Sequence, residues 1–212
     1  MNKNVILLLF TLLFSLATRA EVKPDSTSIK ILLTGASFAD KGNTWFEMGC
    51  EQLGAIPLNR AKGGEAIANT ANKMHEGVLY TKEELEEIDA FVIMQVHNRD
   101  VYEDSQIKPA YTDYQMPIDR SNYAVAYDYV IKRYLSDCYN LKFDKNSRYY
   151  GSLTGKPALV VLCTDWHDAR TLYNESVRKL AAKWGFPLVE FDKYAGFSKH
   201  QLHPVTGAQT SL

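Results

Sequence analysis

Short aliphatic runs alternate along this chain with segments of helical spacing, and that alternation constrains the fold more than any other feature. Ile29 to Leu33 is β-branched and aliphatic and ends at Thr34-Gly35, as a buried parallel strand feeding a turn does. Trp45 to Leu53 has helical apolar spacing, with Gly54 as its stop. A strand is expected at Ile56 to Leu58, a helix over Ala66 to Met74, and a further helix start at Thr81, whose spacing to Glu84 is that of a capping box. Phe91 to Val96 is an almost wholly apolar third strand. Asp119 to Leu135 reads as a long helix, with Tyr123, Val125, Tyr127, Val130, Ile131 and Tyr134 as candidate core positions. Pro157 to Cys163 is the fourth strand, Ala169 to Trp184 a helix stopped by Gly185, and Phe186 to Phe191 the fifth strand. Strands alternating with helices imply a mostly parallel sheet of about five strands in a three-layer α/β/α sandwich. In such sheets ligands bind beyond the carboxyl ends of the strands.

The chain has 212 residues, enough for one α/β domain with a sizeable core. Its formal net charge of -1 gives no reason to expect nucleic acid or an anionic membrane as partner. Residues 1–20 combine Lys3, an apolar run from Val5 to Leu16 and small residues around Arg19, the pattern of a secretory signal peptide. The run is short for a bilayer span, so no stable membrane span is expected after processing, and the protein is expected to be periplasmic or secreted. The domain then covers residues 21–212. Tyr102 to Arg120 and Leu141 to Gly155 read as polar connections, the first a substrate-shaping loop. Cys50, Cys138 and Cys163 are odd in number and lack a C-x-x-C spacing, which excludes a zinc knuckle or a thioredoxin-like motif. A Cys50–Cys138 disulfide is left open.

Four polar positions fall at or beyond expected strand ends. Ser37 follows the first strand through Gly35; a serine hydroxyl needs a base to become a nucleophile, and the helix expected next would aim its N-terminal amides at the site. Its alternative role is a helix N-cap. Gly64, after the second strand, lets a backbone N–H approach a developing oxyanion, an interaction worth about 3 kcal/mol. Asn98, after the third, carries an amide that can donate to the same oxyanion, or closes the strand by an Asx-turn. His203 precedes Pro204, is kept out of a helix, and has the ordinary titration range of a general base. His200 and His203 also have the spacing of metal ligands, but no nearby third ligand in sequence, and no metal or organic cofactor is expected. Asp165 to Asp168 form another polar cluster beyond the fourth strand, with Trp166 as a stacking platform for substrate and Asp168 as a candidate helix N-cap. His97 and His200 are further candidate substrate contacts.

This set resembles the SGNH hydrolase superfamily, the GDSL-type esterases and lipases. Gly35-Ala36-Ser37 is similar to its first block, with Ala36 where Asp is usual. Asn59 followed by Gly64 is similar to the second, and Val96-His97-Asn98 to the third, with Val96 where Gly is usual. His203-Pro204 with Gly207 is similar to the last. The resemblance runs from Ile29 to Gly207. It implies an SGNH, flavodoxin-like α/β/α fold. It also implies a serine esterase in which Ser37 attacks, His203 is base and then acid, and the Ser37 N–H, Gly64 N–H and Asn98 amide hold the oxyanion. The preferred substrate is an O-acetyl group on a carbohydrate, as a small-molecule or carbohydrate ester. Two departures stand out. His200 occupies the place three before His203 where the family has Asp, so Asp192, Asp165 or Asp168, or a backbone carbonyl, is expected to orient His203. Only Val205 to Leu212 follow the last block, where the family has a closing helix. The competing expectation is a non-catalytic carbohydrate-binding module on the same fold.

Overall fold

The computed structural model describes residues 28–95, 122–166 and 171–194. Residues 1–20, read as a signal peptide, the expected Tyr102 to Arg120 excursion, and His97, Asn98, His200 and His203 lie outside the described residues.

Strands β1 (Lys30–Gly35), β2 (Ile56–Asn59), β3 (Ile88–Met94), β4 (Val160–Cys163) and β5 (Leu188–Val189) form one sheet in the order β2-β1-β3-β4-β5. Every adjacent pair is parallel; Leu32 sits opposite Leu58 on one side and Phe91 on the other. This is the doubly wound, flavodoxin-like order, whose switch point lies where the chain leaves β1 for one edge and β3 for the other. Between the strands run α1 (Trp45–Leu53), α2 (Ile67–His75), α3 (Lys82–Glu87), α4 (Tyr123–Asn140) and α5 (Thr171–Trp184), with a short α6 (Phe191–Tyr194) after β5. The expected α/β/α architecture is present.

The local signals act as their chemistry requires. Gly54 ends α1 in the left-handed conformation, at φ 65°. At the start of α3 the Thr81 hydroxyl accepts from the Glu84 N–H at 3.1 Å, while the Glu84 carboxylate accepts from the Thr81 N–H at 3.0 Å. Three strands differ from expectation in their bounds, and α4 runs on to Asn140 rather than stopping at Leu135. β3 begins at Ile88, directly on the end of α3, and stops at Met94. β4 begins at Val160 rather than Pro157, because the Lys156 N–H turns back to the Cys138 carbonyl at the end of α4, 3.0 Å away. β5 is only two residues long, and Phe191 opens a helical turn instead of ending the strand. There the Asp192 N–H donates to Thr164 Oγ1, and the amides of Lys193 and Tyr194 return to the Glu190 carbonyl.

Side chains alternate across the sheet, and the two faces are covered differently. Leu32, Phe91 and Ile93 pack with α2, α4 and α5, whose Tyr123, Tyr127, Ile131, Tyr134 and Tyr173 are fully buried there. Leu33, Met94 and Cys163 point to the other face, against Phe46 and Cys50 of α1. Right-handed crossovers demand this division: only the β1-to-β2 connection runs toward the β2 edge. Of the candidate core positions on α4, all are buried except Val125, which is partly buried. Cys50 and Cys138 thus sit on opposite faces, and all three cysteines are free and buried, which removes the Cys50–Cys138 disulfide.

Helix α4 also buries a carboxylate. Asp128, 2% exposed, accepts from Trp184 Nε1 at 3.0 Å and faces Lys183 at 3.1 Å and Lys132 at 2.9 Å. It ties α4 to the end of α5 through groups that stay partly wet at their far ends. Asp128→Ala should therefore lower the unfolding free energy by about 2 kcal/mol, less than for a fully enclosed pair, because both lysines can turn to solvent. Urea denaturation followed by tyrosine and tryptophan fluorescence measures this directly; a change within error of zero would show that the cluster does not join the two helices.

Candidate active site

The site begins with how β1 ends. Its last residue is wedged between neighbours: a Cβ on Gly35 would lie 2.7 Å from Ala39 Cβ, 3.2 Å from the Met94 carbonyl oxygen and 3.3 Å from Ala61 Cβ. Only glycine fits, and the chain can turn at once. Ala36 is extended, and Ser37–Ala39 form a single 3-10 turn in which the Ala39 N–H donates to the Ala36 carbonyl at 3.0 Å. Ala36, not Ser37, is the cap of that turn, and no side chain caps it. Ser37 is exposed, and no described residue bonds its hydroxyl. The N-cap role considered for Ser37 is therefore not the one it plays. The helix expected to point its amides at Ser37 is also absent: α1 starts only at Trp45, so the nearby backbone contributes one 3-10 turn.

The loop after β2 is carried to the same place. The Arg60 and Lys62 N–H groups continue the ladder onto the Leu33 and Gly35 carbonyls, at 2.8 and 3.1 Å. Lys62 to Glu65 then form a tight turn, closed by the Glu65 N–H on the Lys62 carbonyl at 3.1 Å, with Gly64 at φ 81°. A turn of that form needs positive φ at its third residue, which glycine supplies without strain. Gly63 lies directly against the serine: its added Cβ would be 3.8 Å from Ser37 Cβ and 3.1 Å from Asp40 Oδ2. The Gly63 N–H donates to that carboxylate at 2.6 Å, whereas no described residue accepts from the Gly64 N–H. The structure brings Ser37 and the Gly63-Gly64 turn together.

Asn59 locks the two loops to each other. It is buried, and its amide donates to the Ala39 carbonyl at 2.8 Å and to Glu47 Oε1 at 2.6 Å, while its carbonyl oxygen accepts from the Ala61 N–H at 2.8 Å. Glu47 in turn accepts from the Thr44 N–H and hydroxyl, at 3.1 and 2.7 Å. Burial works to raise the Glu47 carboxyl, but the bonds from Asn59 and Thr44 outweigh it and hold it below its ordinary value.

At the end of β3 the Gln95 amide donates to Thr70 Oγ1 of α2 at 2.9 Å, and its backbone carbonyl accepts from the Tyr123 hydroxyl at 3.0 Å. The chain is thus pinned where it departs toward His97 and Asn98, which lie outside the described residues, as do His200, His203, His167 and Asp168. Trp166, after β4, stacks on Phe38 with ring centroids 5.7 Å apart. Phe38 also meets Phe191 edge-on at 6.1 Å, and Phe191 packs on Trp45 at 4.9 Å. Trp166 is therefore half engaged by the protein and is not a fully open platform. Of the acids considered for orienting His203, Asp192 is already bound: Arg178 reaches its two oxygens at 2.8 and 2.6 Å, and Thr164 donates to it at 2.8 Å. Asp165 is buried, and its backbone is bonded to Asn174. Burial pushes the Cys138 and Cys163 thiols up to about 11 and about 12, which does not suit a thiolate nucleophile. Sequence reasoning missed Asp40 and Phe38; the signal for Asp40 was a lone carboxylate three residues after the serine.

These features define a doubly wound α/β protein that presents an exposed serine, whose hydroxyl no described residue bonds, and a glycine turn at the carboxyl edge of its sheet. The chain belongs to the family described as "Domain of unknown function (DUF5040)", which matches residues 28–212. No curated protein matches it. One solved structure aligns at a TM-score of 0.56 and 15% identity, over 87% of this chain and 90% of that chain. A candidate SGNH hydrolase from Slackia heliotrinireducens aligns at 0.49 and 16%, over 87% and 91%. AlinE4, an SGNH-hydrolase family esterase, aligns at 0.42 and 14%, over 84% and 87%.

Because the Glu47 carboxyl titrates lower in the folded protein, its bonds to Asn59 and Thr44 stabilise the fold above the ordinary value of 4.5 and are lost as pH falls through the lowered one. Wild type should be more stable than Glu47→Gln at about pH 6, and the gap should close toward about pH 3. Urea midpoints across that range provide the check; a gap independent of pH would show that the ionised carboxylate is not what joins the loops.

Proposed function

We propose that this protein is a serine esterase of the SGNH type. The observation that carries the reading is Ser37: an exposed hydroxyl that serves no capping bond, at the carboxyl end of β1, against a glycine turn whose Gly64 N–H no described residue accepts. An oxyanion forming on an acyl group attached to Ser37 needs donors of this kind, fixed before the reaction. In this reading Ser37 attacks, His203 takes its proton and returns it to the leaving group, and Asn98 joins Gly64 as a donor. An exported location and an O-acetyl group on a carbohydrate as substrate complete the proposal. Trp166, which stacks on Phe38 and stays partly exposed, supports contact with a sugar-bearing ligand through its remaining surface.

Turnover of p-nitrophenyl acetate by wild type, abolished in Ser37→Ala and unaffected by exhaustive chelation, is the expected result. Equal background rates in both proteins would leave a non-catalytic carbohydrate-binding module on the same fold. That second reading is favoured by His200 in the place of the family's acid, and by the engagement of Asp192 with Arg178.

His200 supplies no negative charge in either protonation state, accepts a hydrogen bond only when neutral and in one tautomer, and is not expected to replace the acid. His203→Ala should lower kcat by a factor approaching about 10⁴, while His200→Ala costs no more than about tenfold. Steady-state kinetics on the same ester separates them; equal losses would make His200 part of the catalytic machinery.

A further inference from the structure

Asp40 has no part in the motifs that carry the resemblance, yet it is the side chain that joins the serine turn to the glycine turn. It sits three residues after Ser37, just past the 3-10 turn, and its N–H closes that turn on the Ser37 carbonyl at 3.3 Å. One carboxylate oxygen accepts from its neighbour, the Lys41 N–H, at 2.7 Å. The other crosses to the second loop and accepts from the Gly63 N–H at 2.6 Å. The contact is tight enough that a methyl group on Gly63 would press on this oxygen at 3.1 Å.

The peptide that Asp40 holds is the one next to the proposed oxyanion donor. Fixing the Gly63 N–H on Asp40 sets the plane from which the chain enters Gly64, and so sets where the Gly64 N–H points relative to Ser37. It also removes a choice: with its own amide committed, Gly63 does not compete as a donor. An oxyanion donor acts by being placed in advance, and a displacement of about 1 Å costs about 10²-fold in rate. Asn59 holds the base of both loops, but it does so below the turn, at Ala39 and Ala61. The tip of the glycine turn is held by Asp40.

We propose that Asp40 is a positioning residue for catalysis: its carboxylate holds the Gly63 N–H and thereby aims the Gly64 N–H at the oxyanion formed on Ser37. The inference rests on the esterase reading above. It does not make Asp40 the missing acid of the triad, because what it supplies is an acceptor for a backbone N–H.

The test is kcat and KM for p-nitrophenyl acetate with the full chain and the variants Ser37→Ala, Asp40→Ala, Asp40→Asn and Asp40→Glu, each checked for a cooperative thermal melt. Asp40→Ala should lower kcat by about tenfold to a hundredfold and leave KM within about twofold, since the donor it aims acts only as charge develops. Asp40→Asn keeps an acceptor oxygen at the same reach and should retain at least about a third of wild-type kcat, whereas an orienting acid replaced in this way loses about 10⁴. Asp40→Glu keeps the charge but moves the acceptor by one methylene, and should lose kcat as the alanine variant does; it decides the question if Asp40→Ala does not melt cooperatively. Wild-type kcat in Asp40→Ala or Asp40→Glu, or a loss in Asp40→Asn as large as in Asp40→Ala, would overturn the positioning role while the Ser37 control still upholds the esterase. Absence of Ser37-dependent turnover in wild type would overturn the esterase reading, and this role with it.

Discussion

The structure depends most on how closely β1 is enclosed at its carboxyl end. β1 is central, hydrogen-bonded to β2 on one side and β3 on the other, and at Gly35 the space left by Met94, Ala39 and Ala61 excludes even a methyl group. A strand so confined cannot run on or bend gradually. It turns within one residue, which puts Ser37 on the rim of the sheet with its hydroxyl outward. The same closeness draws the loop after β2 over the strand end, since the Lys62 N–H reaches the Gly35 carbonyl. The serine and the glycine turn meet because two parallel strands and their exits are packed without spare room.

Polar groups then convert this proximity into a fixed arrangement. Asn59 is buried, a costly place for an amide, and three hydrogen bonds offset that cost. Each one lands on a different piece of the edge: the serine turn, the glycine loop and the start of α1. Glu47 receives the amide and keeps its charge through the bonds from Thr44, so α1 is anchored by the same atoms that hold the loops. On the opposite side of the sheet α4 supplies rigidity through tyrosines. Tyr123 and Tyr127 bury their rings and place their hydroxyls on the Gln95 and Ile93 carbonyls at the end of β3, at 3.0 and 3.1 Å. Both sides of the switch point are therefore braced independently.

The aromatic residues near the serine have a mixed character. Phe38, Trp45, Trp166 and Phe191 come from four separate segments and form a continuous layer over the face that α1 covers only in part. Their mutual contacts fix the direction of Phe38, and with it the turn that carries Ser37. Aromatic content alone suggested ligand stacking; the packing shows that much of that surface is spent on holding the turn in place.

By itself the sequence determined the architecture, because hydrophobic period, capping residues and glycine stops are local properties. The aliphatic runs became β1 to β5 in the expected order, Gly54 and the Thr81–Glu84 pair ended and began helices as read, and α4 buried five of its six candidate positions. Ser37 and Gly64 were legible as strand-end residues on the same grounds. The tertiary structure decided what those residues do. Whether Ser37 caps a helix depends on where the next helix begins, and α1 begins eight residues later because the Thr44–Glu47 box starts it there. Whether Asp192 is available as an acid depends on Arg178, fourteen residues away along the chain and 2.6 Å away in space. The link from Asp40 to Gly63 spans 23 residues and has no local signature at all. Strands and helices are written in neighbouring side chains, whereas the contacts that make a site join loops distant in sequence, and only the packing of the sheet brings those loops together.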